Sequence, residues 1–226
     1  MKILFKAIWI TIIVCITLFA LLIILDPLLS CPQHNIISAN ETSAIVALKD
    51  IIKAEMIWHT KDFDGNGISD FWTYDLSCLY RIKSSETSAE SDLIDIATAK
   101  ADAHPAPIGF FGSTPLLTQI ENDKFIPKRG YYFQAMLIDE TGKPYNQNIV
   151  GANKIQAANS SRFAFVAYPA VYGKTGKRTF ITDESGMIYW KDTESDTNKI
   201  ILDWPNKRQF QDRNDYTESK LWRIEE

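Results

Sequence analysis

At 226 residues, with 46% hydrophobic and 12% aromatic content, the chain has the composition of a folded globular protein and the length for one compact domain with a real core. Its formal charge is −4 and it carries no long basic run, which argues against nucleic acid or an anionic membrane surface as a partner. Three scattered histidines and the lack of any H-E-x-x-H, G-x-S-x-G or C-x-x-C motif leave no signature that names an enzyme.

Lys2 and Lys6 precede an uncharged run over residues 7–25, which Asp26 closes. As a helix rising about 1.5 Å per residue, this run spans roughly 28 Å, close to the hydrocarbon thickness of a bilayer. The lysines on its amino side place the N-terminus in the cytoplasm and everything after Asp26 outside. The expected organisation is a single-pass anchor over residues 1–25, a linker over 26–39 and an extracytoplasmic domain over 40–226. Two alternatives stay open. Leu28-Leu29-Ser30-Cys31 resembles a bacterial lipobox, which would make Cys31 an acylated N-terminus. A cleaved signal peptide is the other, although no A-x-A-like site follows the run. Outside the cytoplasm a disulfide between Cys31 and Cys78 can persist, whereas an acylated Cys31 would leave Cys78 alone. Cys15 falls within the apolar run and is expected to pack there.

Pro27 and Pro32 interrupt any helix leaving the membrane. A second helix is expected from about Asn40, with Ser38 or Asn40 as its cap. Ala44, Ile45, Leu48, Ile51, Ile52 and Met56 recur at three- and four-residue spacing, while Glu41, Lys49, Asp50 and Lys53 fall mostly on other faces. That pattern predicts an amphipathic helix of about 18–20 residues with one side buried. After a polar stretch over 83–90, a shorter helix is expected from Ser91 to Ala103, ended by His104-Pro105-Ala106-Pro107.

From Gly130 the pattern turns to β. Tyr131 to Ile138, Arg162 to Tyr168, Arg178 to Thr182, Met187 to Lys191 and Lys199 to Trp204 read as strands. Asp183-Glu184-Ser185-Gly186 is a hairpin signal. Helices first and antiparallel strands later predict an α+β fold, an amphipathic helix packed on an antiparallel sheet behind an N-terminal membrane helix. Trp58, Trp72, Trp190, Trp204 and Trp222 can fill that core or form a binding platform. Gly173-Lys174-Thr175 has neither the upstream glycine nor the following helix of a phosphate loop, so no nucleotide site is expected.

The sharpest local motif is Asp62-Phe63-Asp64-Gly65-Asn66-Gly67-Ile68-Ser69-Asp70. It sets side-chain oxygens of Asp62, Asp64, Asn66 and Asp70 at relative positions 1, 3, 5 and 9, with the Ile68 carbonyl available at position 7. A hard cation such as Ca²⁺ takes six to eight oxygens, and alternate residues of a tight loop converge on one point. Thr73 stands where an EF-hand needs a bidentate Glu. The pattern resembles instead the calcium loop of integrin α-subunit β-propellers. The alternative is an Asx-rich turn without metal. In either case its role would be structural, fixing the exit of the long helix.

Asn40-Glu41-Thr42-Ser43-Ala44-Ile45-Val46-Ala47-Leu48-Lys49, running on to Ala54-Glu55, is similar to the helix of bacterial type IV pilin-like and type II secretion pseudopilin-like proteins. Gly130 to Phe133, Phe163 to Pro169, Tyr172-Gly173 and Thr179 to Ile181 resemble an uncharacterised, planctomycete-like Gram-negative extracytoplasmic family. That family also closes its sheet with a Gly-containing hairpin, here Ser185 to Tyr189. The resemblance implies a pilin-like protein of the bacterial inner membrane, with a periplasmic domain that acts through contacts with envelope or secretion-system proteins and has no catalytic role. Phe5-Lys6-Ala7-Ile8-Trp9 lacks the preceding Gly and the Glu of a prepilin processing site, so the resemblance does not extend to processing. The competing expectation is an envelope lipoprotein serving as a carbohydrate-binding module or hydrolase.

Overall fold

The computed structural model describes residue 17 and residues 35–61, 63, 67–80, 82–83, 90–104, 125–147, 158–193, 200–210 and 221–225. The expected anchor over 7–25, apart from Thr17, lies outside these residues. Among the described residues no helix is long and apolar enough to cross a membrane.

Helix α1 is described over residues 35–61. Ala44, Ala47, Leu48, Ile51, Ala54 and Trp58 form its buried stripe, the three- and four-residue spacing that one face of a 3.6-residue helix requires. Lys49 and Lys53 are exposed, and Lys53 pairs with Asp50 at 3.0 Å. Three expectations need correction. The helix is already running at residue 35, so Ser38 and Asn40 lie within it and do not cap it. Met56, expected in the buried stripe, is exposed. Glu41, expected on a solvent face, is buried, because its charge has partners on the sheet.

The shorter helix expected over 91–103 is the five-residue α2, Ile96–Lys100. Asp95 caps it by accepting from the Thr98 amide at 3.0 Å. It stops early because Asp102 turns away to accept amides of residues 76 and 77. Two small antiparallel pairs join β1 (Phe71–Trp72) to β5 (Ala158–Asn159), and β2 (Ile82–Lys83) to β3 (Glu90–Ser91).

The main sheet is antiparallel throughout, in the order β4-β6-β7-β8-β9. Its strands are β4 (Tyr131–Ala135), β6 (Ala164–Pro169), β7 (Arg178–Asp183), β8 (Ile188–Asp192) and β9 (Arg223–Ile224). Of the strand expected over 199–204, the described residues 200–204 form none, with one parallel bridge between Asp203 and Ile138. The chain is therefore α+β, with an amphipathic helix packed on an antiparallel sheet.

Alternation with period two gives the sheet two buried faces. Tyr131, Phe133, Phe165, Ala167, Phe180 and Ile188 face α1 and pack with Leu48, Ile51, Trp58 and Trp72. Ala164, Val166 and Ile181 face the other way and pack with Met136, Tyr145 and Trp222, flanked by Tyr189, Trp204 and Phe210. Trp58 and Trp72 thus belong to one core, and Trp204 and Trp222 to the other. They form no common platform.

Helix and sheet are joined by charge as well as by area. Glu41 Oε1 accepts the amides of Lys177 (2.9 Å) and Arg178 (3.2 Å), and its Oε2 accepts from Arg178 Nε at 2.7 Å. Arg178 also donates to Glu225 at 3.1 Å and lies over the Phe180 and Trp190 rings. One turn of chain before these amides, Asn40 Nδ2 donates to the Thr175 carbonyl at 2.9 Å. The approach is close. A Cβ on Gly176 would stand 2.1 Å from the Tyr131 hydroxyl oxygen, which donates to the Arg178 carbonyl.

Removing the Glu41 carboxylate leaves two amides and a half-buried guanidinium without their acceptor, and breaking a buried pair from one side costs about 3–5 kcal/mol. Glu41→Ala should therefore lower the denaturant midpoint of the protein by an amount at the lower end of that range, roughly 3 kcal/mol, since Arg178 keeps Glu225. A loss under about 1 kcal/mol would show that the joint carries no weight.

Candidate functional site

Polar groups gather in two places. The first lies under the C-terminal half of α1, where Glu55, Asp70, Asp75 and Asp102 are each at most 2% exposed. Glu55 Oε2 accepts the Trp72 amide at 2.9 Å, while its Oε1 is buried without a partner. Asp75 accepts from Trp72 Nε1 at 2.8 Å and from the Ser77 hydroxyl. Asp102 accepts the amides of Leu76 (2.7 Å), Ser77 (3.1 Å) and His104 (2.9 Å). Such carboxylates replace secondary structure as acceptors: Glu55 holds residues 70–80 to α1, and Asp102 holds them to the end of α2.

Burial pushes the Glu55 carboxyl well above the usual carboxylate range, and the charges of Asp70 and Asp75 push it further. Burial, with Asp75 adding like charge, raises Asp102 to about 7. The buried thiol of Cys78 is raised by burial and by Asp75. At these exposures no substrate reaches the cluster, and a raised thiol is the opposite of a reactive one.

The second place is a cleft of about 420 Å³ on the sheet face opposite α1. The β7–β8 hairpin gives it Asp183, Glu184 and Tyr189; residues 200–210 give Trp204, Pro205, Lys207 and Phe210; Glu140 and Tyr145 close another side. Local structure sets each wall. Gly186 takes φ +75 in the hairpin turn, and Asp183 accepts the Ser185 amide at 3.0 Å. Leu137 donates to the Leu202 carbonyl (2.7 Å) and Trp204 to the Ile138 carbonyl (2.8 Å), fixing the indole beside the sheet. Asn206 and Gln209 form a capping box on the single turn Lys207–Gln209.

Three rings meet at angles in this wall. Tyr189 is edge-on to Trp204 (6.0 Å, 86°) and to Phe210 (4.9 Å, 68°), and Trp204 and Phe210 are tilted by 33°. Glu140 is paired with Arg162 at 2.6 Å. Burial raises the Glu184 carboxyl, and Asp183 adds to that. Burial also raises the Tyr145 hydroxyl, helped by the charge of Glu184, Glu140, Asp183 and Asp139.

Over residues 33–206 the chain matches the family described as Protein of unknown function (DUF2950). The chain belongs to the DUF2950 family. The matched span takes in α1, the buried acids, the sheet through β8 and Trp204, whereas Phe210, Trp222 and β9 lie past it. No curated protein and no solved structure matches the chain.

Of the residues singled out for calcium, Asp62, Asp64 and Asn66 lie outside the described residues. Ile68 is half-buried, Asp70 is buried, and Gly67, just before Ile68, takes φ +78. Among the described residues no group of three His, Cys, Asp or Glu is placed to hold a metal ion. Cys78 is a buried free thiol, and Cys31 lies outside the described residues. His59 stacks on Phe71 at 4.4 Å. Sequence reasoning missed Glu55, Asp75 and Asp102, which carry no motif. It also missed the cleft acids, although Asp183 and Glu184 were visible as hairpin residues.

An acid raised in the folded state releases its proton later than in the unfolded chain, so stability falls as pH rises from the ordinary carboxylate value to the folded one. For Asp102 that window ends at about 7, and Glu55 adds to the fall in the same direction. Glu55→Gln keeps an oxygen for the Trp72 amide and never ionises. It should melt at a higher temperature than the parent at neutral pH and match it near about pH 4. Equal melting temperatures at neutral pH would mean that Glu55 is not held neutral by its surroundings.

Proposed function

We propose that this DUF2950 chain is a membrane-anchored, pilin-like protein of the bacterial inner membrane, whose periplasmic domain works through contacts with other envelope proteins. The observation that carries the reading is the long amphipathic helix laid across an antiparallel sheet and joined to it through Asn40 and Glu41, the first residues of the pilin-like block. The uncharged run over 7–25 lies upstream of that helix, where a pilin-like protein has its membrane segment. Ile16→Arg should then release the protein from membranes, since a central arginine costs about 2.5–3.5 kcal/mol on insertion. A mature chain starting at an acylated Cys31, found by intact mass, would replace the anchor with a lipoprotein.

The reading includes a structural Ca²⁺ held by Asp62, Asp64, Asn66, Asp70 and the Ile68 carbonyl. Its support is the positive φ of Gly67 and the burial of Asp70 where its charge acts on Glu55. A cation there would relieve that repulsion and stiffen the helix exit. Bound only by the folded state, it adds about 2.7 kcal/mol at a hundredfold excess over Kd. Melting should rise with millimolar Ca²⁺ and not in Asp64→Ala. A melting temperature indifferent to both Ca²⁺ and chelator leaves the loop as a turn.

The cleft favours a second reading, an envelope lipoprotein serving as a carbohydrate-binding module or hydrolase, because aromatic rings and carboxylates converge there.

A further inference from the structure

The cleft can be read more closely than that, and independently of how the chain is anchored. A sugar ring stacks on a broad flat aromatic face. Here Tyr189, Trp204 and Phe210 meet at 86°, 68° and 33°, so their wall presents edges and faces together. A compact cation suits such a wall, since the negative face of any one ring attracts it within about 6 Å whatever the tilt of the others.

Charge points the same way. Arg162 neutralises Glu140 at 2.6 Å, which leaves Asp183 and Glu184 on the hairpin side. Among the described residues the Asp183 carboxylate accepts within its own turn, from Ser185, and Glu184 accepts its own amide and the Phe163 amide (3.4 Å) and feels the charge of Arg162 from beyond ion-pair distance. Neither has an ion-pair partner among the described residues, and Lys207 is the single cation among the residues that line the cleft. Three carboxylates, Glu140, Asp183 and Glu184, thus meet two cations, Arg162 and Lys207, which leaves net negative charge beside an aromatic wall, and half-buried Glu184 is raised by burial, the cost that a bound cation offsets.

We propose that this cleft binds a small organic cation, an alkylammonium group whose charge meets Asp183 and Glu184 while its apolar body lies on Tyr189, Trp204 and Phe210. The cleft's volume of about 420 Å³ falls in the range of small-ligand pockets, about 300–1,000 Å³.

The test is calorimetric titration of the full-length chain in an uncharged detergent. The probes are choline, its uncharged tert-butyl isostere, butylamine and cellobiose. Choline or butylamine should bind saturably and more weakly as salt is raised. The isostere should bind at least about tenfold more weakly, the equivalent of about 1.4 kcal/mol. Glu184→Gln keeps the acceptor for the Phe163 amide and should weaken cation binding about tenfold, leaving isostere binding unchanged. Trp204→Leu should weaken both cation and isostere, with an unchanged melting temperature showing that the fold persists. Equal affinity for choline and its isostere, no saturable binding of either amine, or cation binding indifferent to Glu184→Gln would each overturn the proposal. Saturable cellobiose binding without amine binding would assign the cleft to a sugar instead.

Discussion

Glu41 reaches from the buried stripe of α1 into the start of β7, where one carboxylate serves two backbone amides and a guanidinium. Hydrophobic area alone would let a helix slide or rotate on a sheet, because apolar burial has no direction. Hydrogen bonds to the Lys177 and Arg178 amides do have direction, and they choose one rotation of α1 and one height along the strand. Asn40, bonded to the Thr175 carbonyl, repeats that choice one residue earlier. Arg178 then passes the constraint on, through Glu225 to the chain beyond β9 and over the rings of Phe180 and Trp190.

Once α1 is set, the alternation of β6 and β7 assigns the remaining faces. Phe165, Ala167 and Phe180 go to the helix, and Val166 and Ile181 go to the opposite side. Small Ala167 pairs with Phe133 on one side and Phe180 on the other, so two rings flank it in the layer under the helix. A shift of one residue in any of these registers would exchange the two cores. The cleft exists because the second face is covered by returning chain, residues 136–145 and 200–210, which cannot cover a sheet as evenly as a helix does.

Features carried by local chemistry were legible from the sequence. The three- and four-residue spacing of Ala44 to Ile51 located the buried side of α1, and Asp183-Glu184-Ser185-Gly186 located the hairpin. What failed depended on distant partners. Glu41 reads as a surface charge because the amides it serves lie 136 and 137 residues away. Asp102 reads as part of a helix, yet its oxygens are taken by amides 26 and 25 residues earlier, and the helix ends accordingly. The cleft was hidden for the same reason, as Tyr189, Trp204 and Phe210 become neighbours only when the chain comes back across the sheet.

Residues 200–210 are fastened to the rest of the protein differently from any strand. Among the described residues, backbone bonds from Leu137 to Leu202 and from Trp204 to Ile138 tie them beside the end of β4, one from Trp222 to Gln209 ties them beside β9, and one capped turn stiffens them between. A ladder such as β6–β7 opens only with the sheet, whereas a strap on a few scattered bonds can detach as a small unit of its own. The amide of Trp204 should exchange its hydrogen by that local opening, while the amide of Ile181 waits for global unfolding. Anything that settles between the strap and the hairpin would then be felt first as slower exchange at Trp204, which makes the strap the part of the fold where occupancy and local stability are the same quantity.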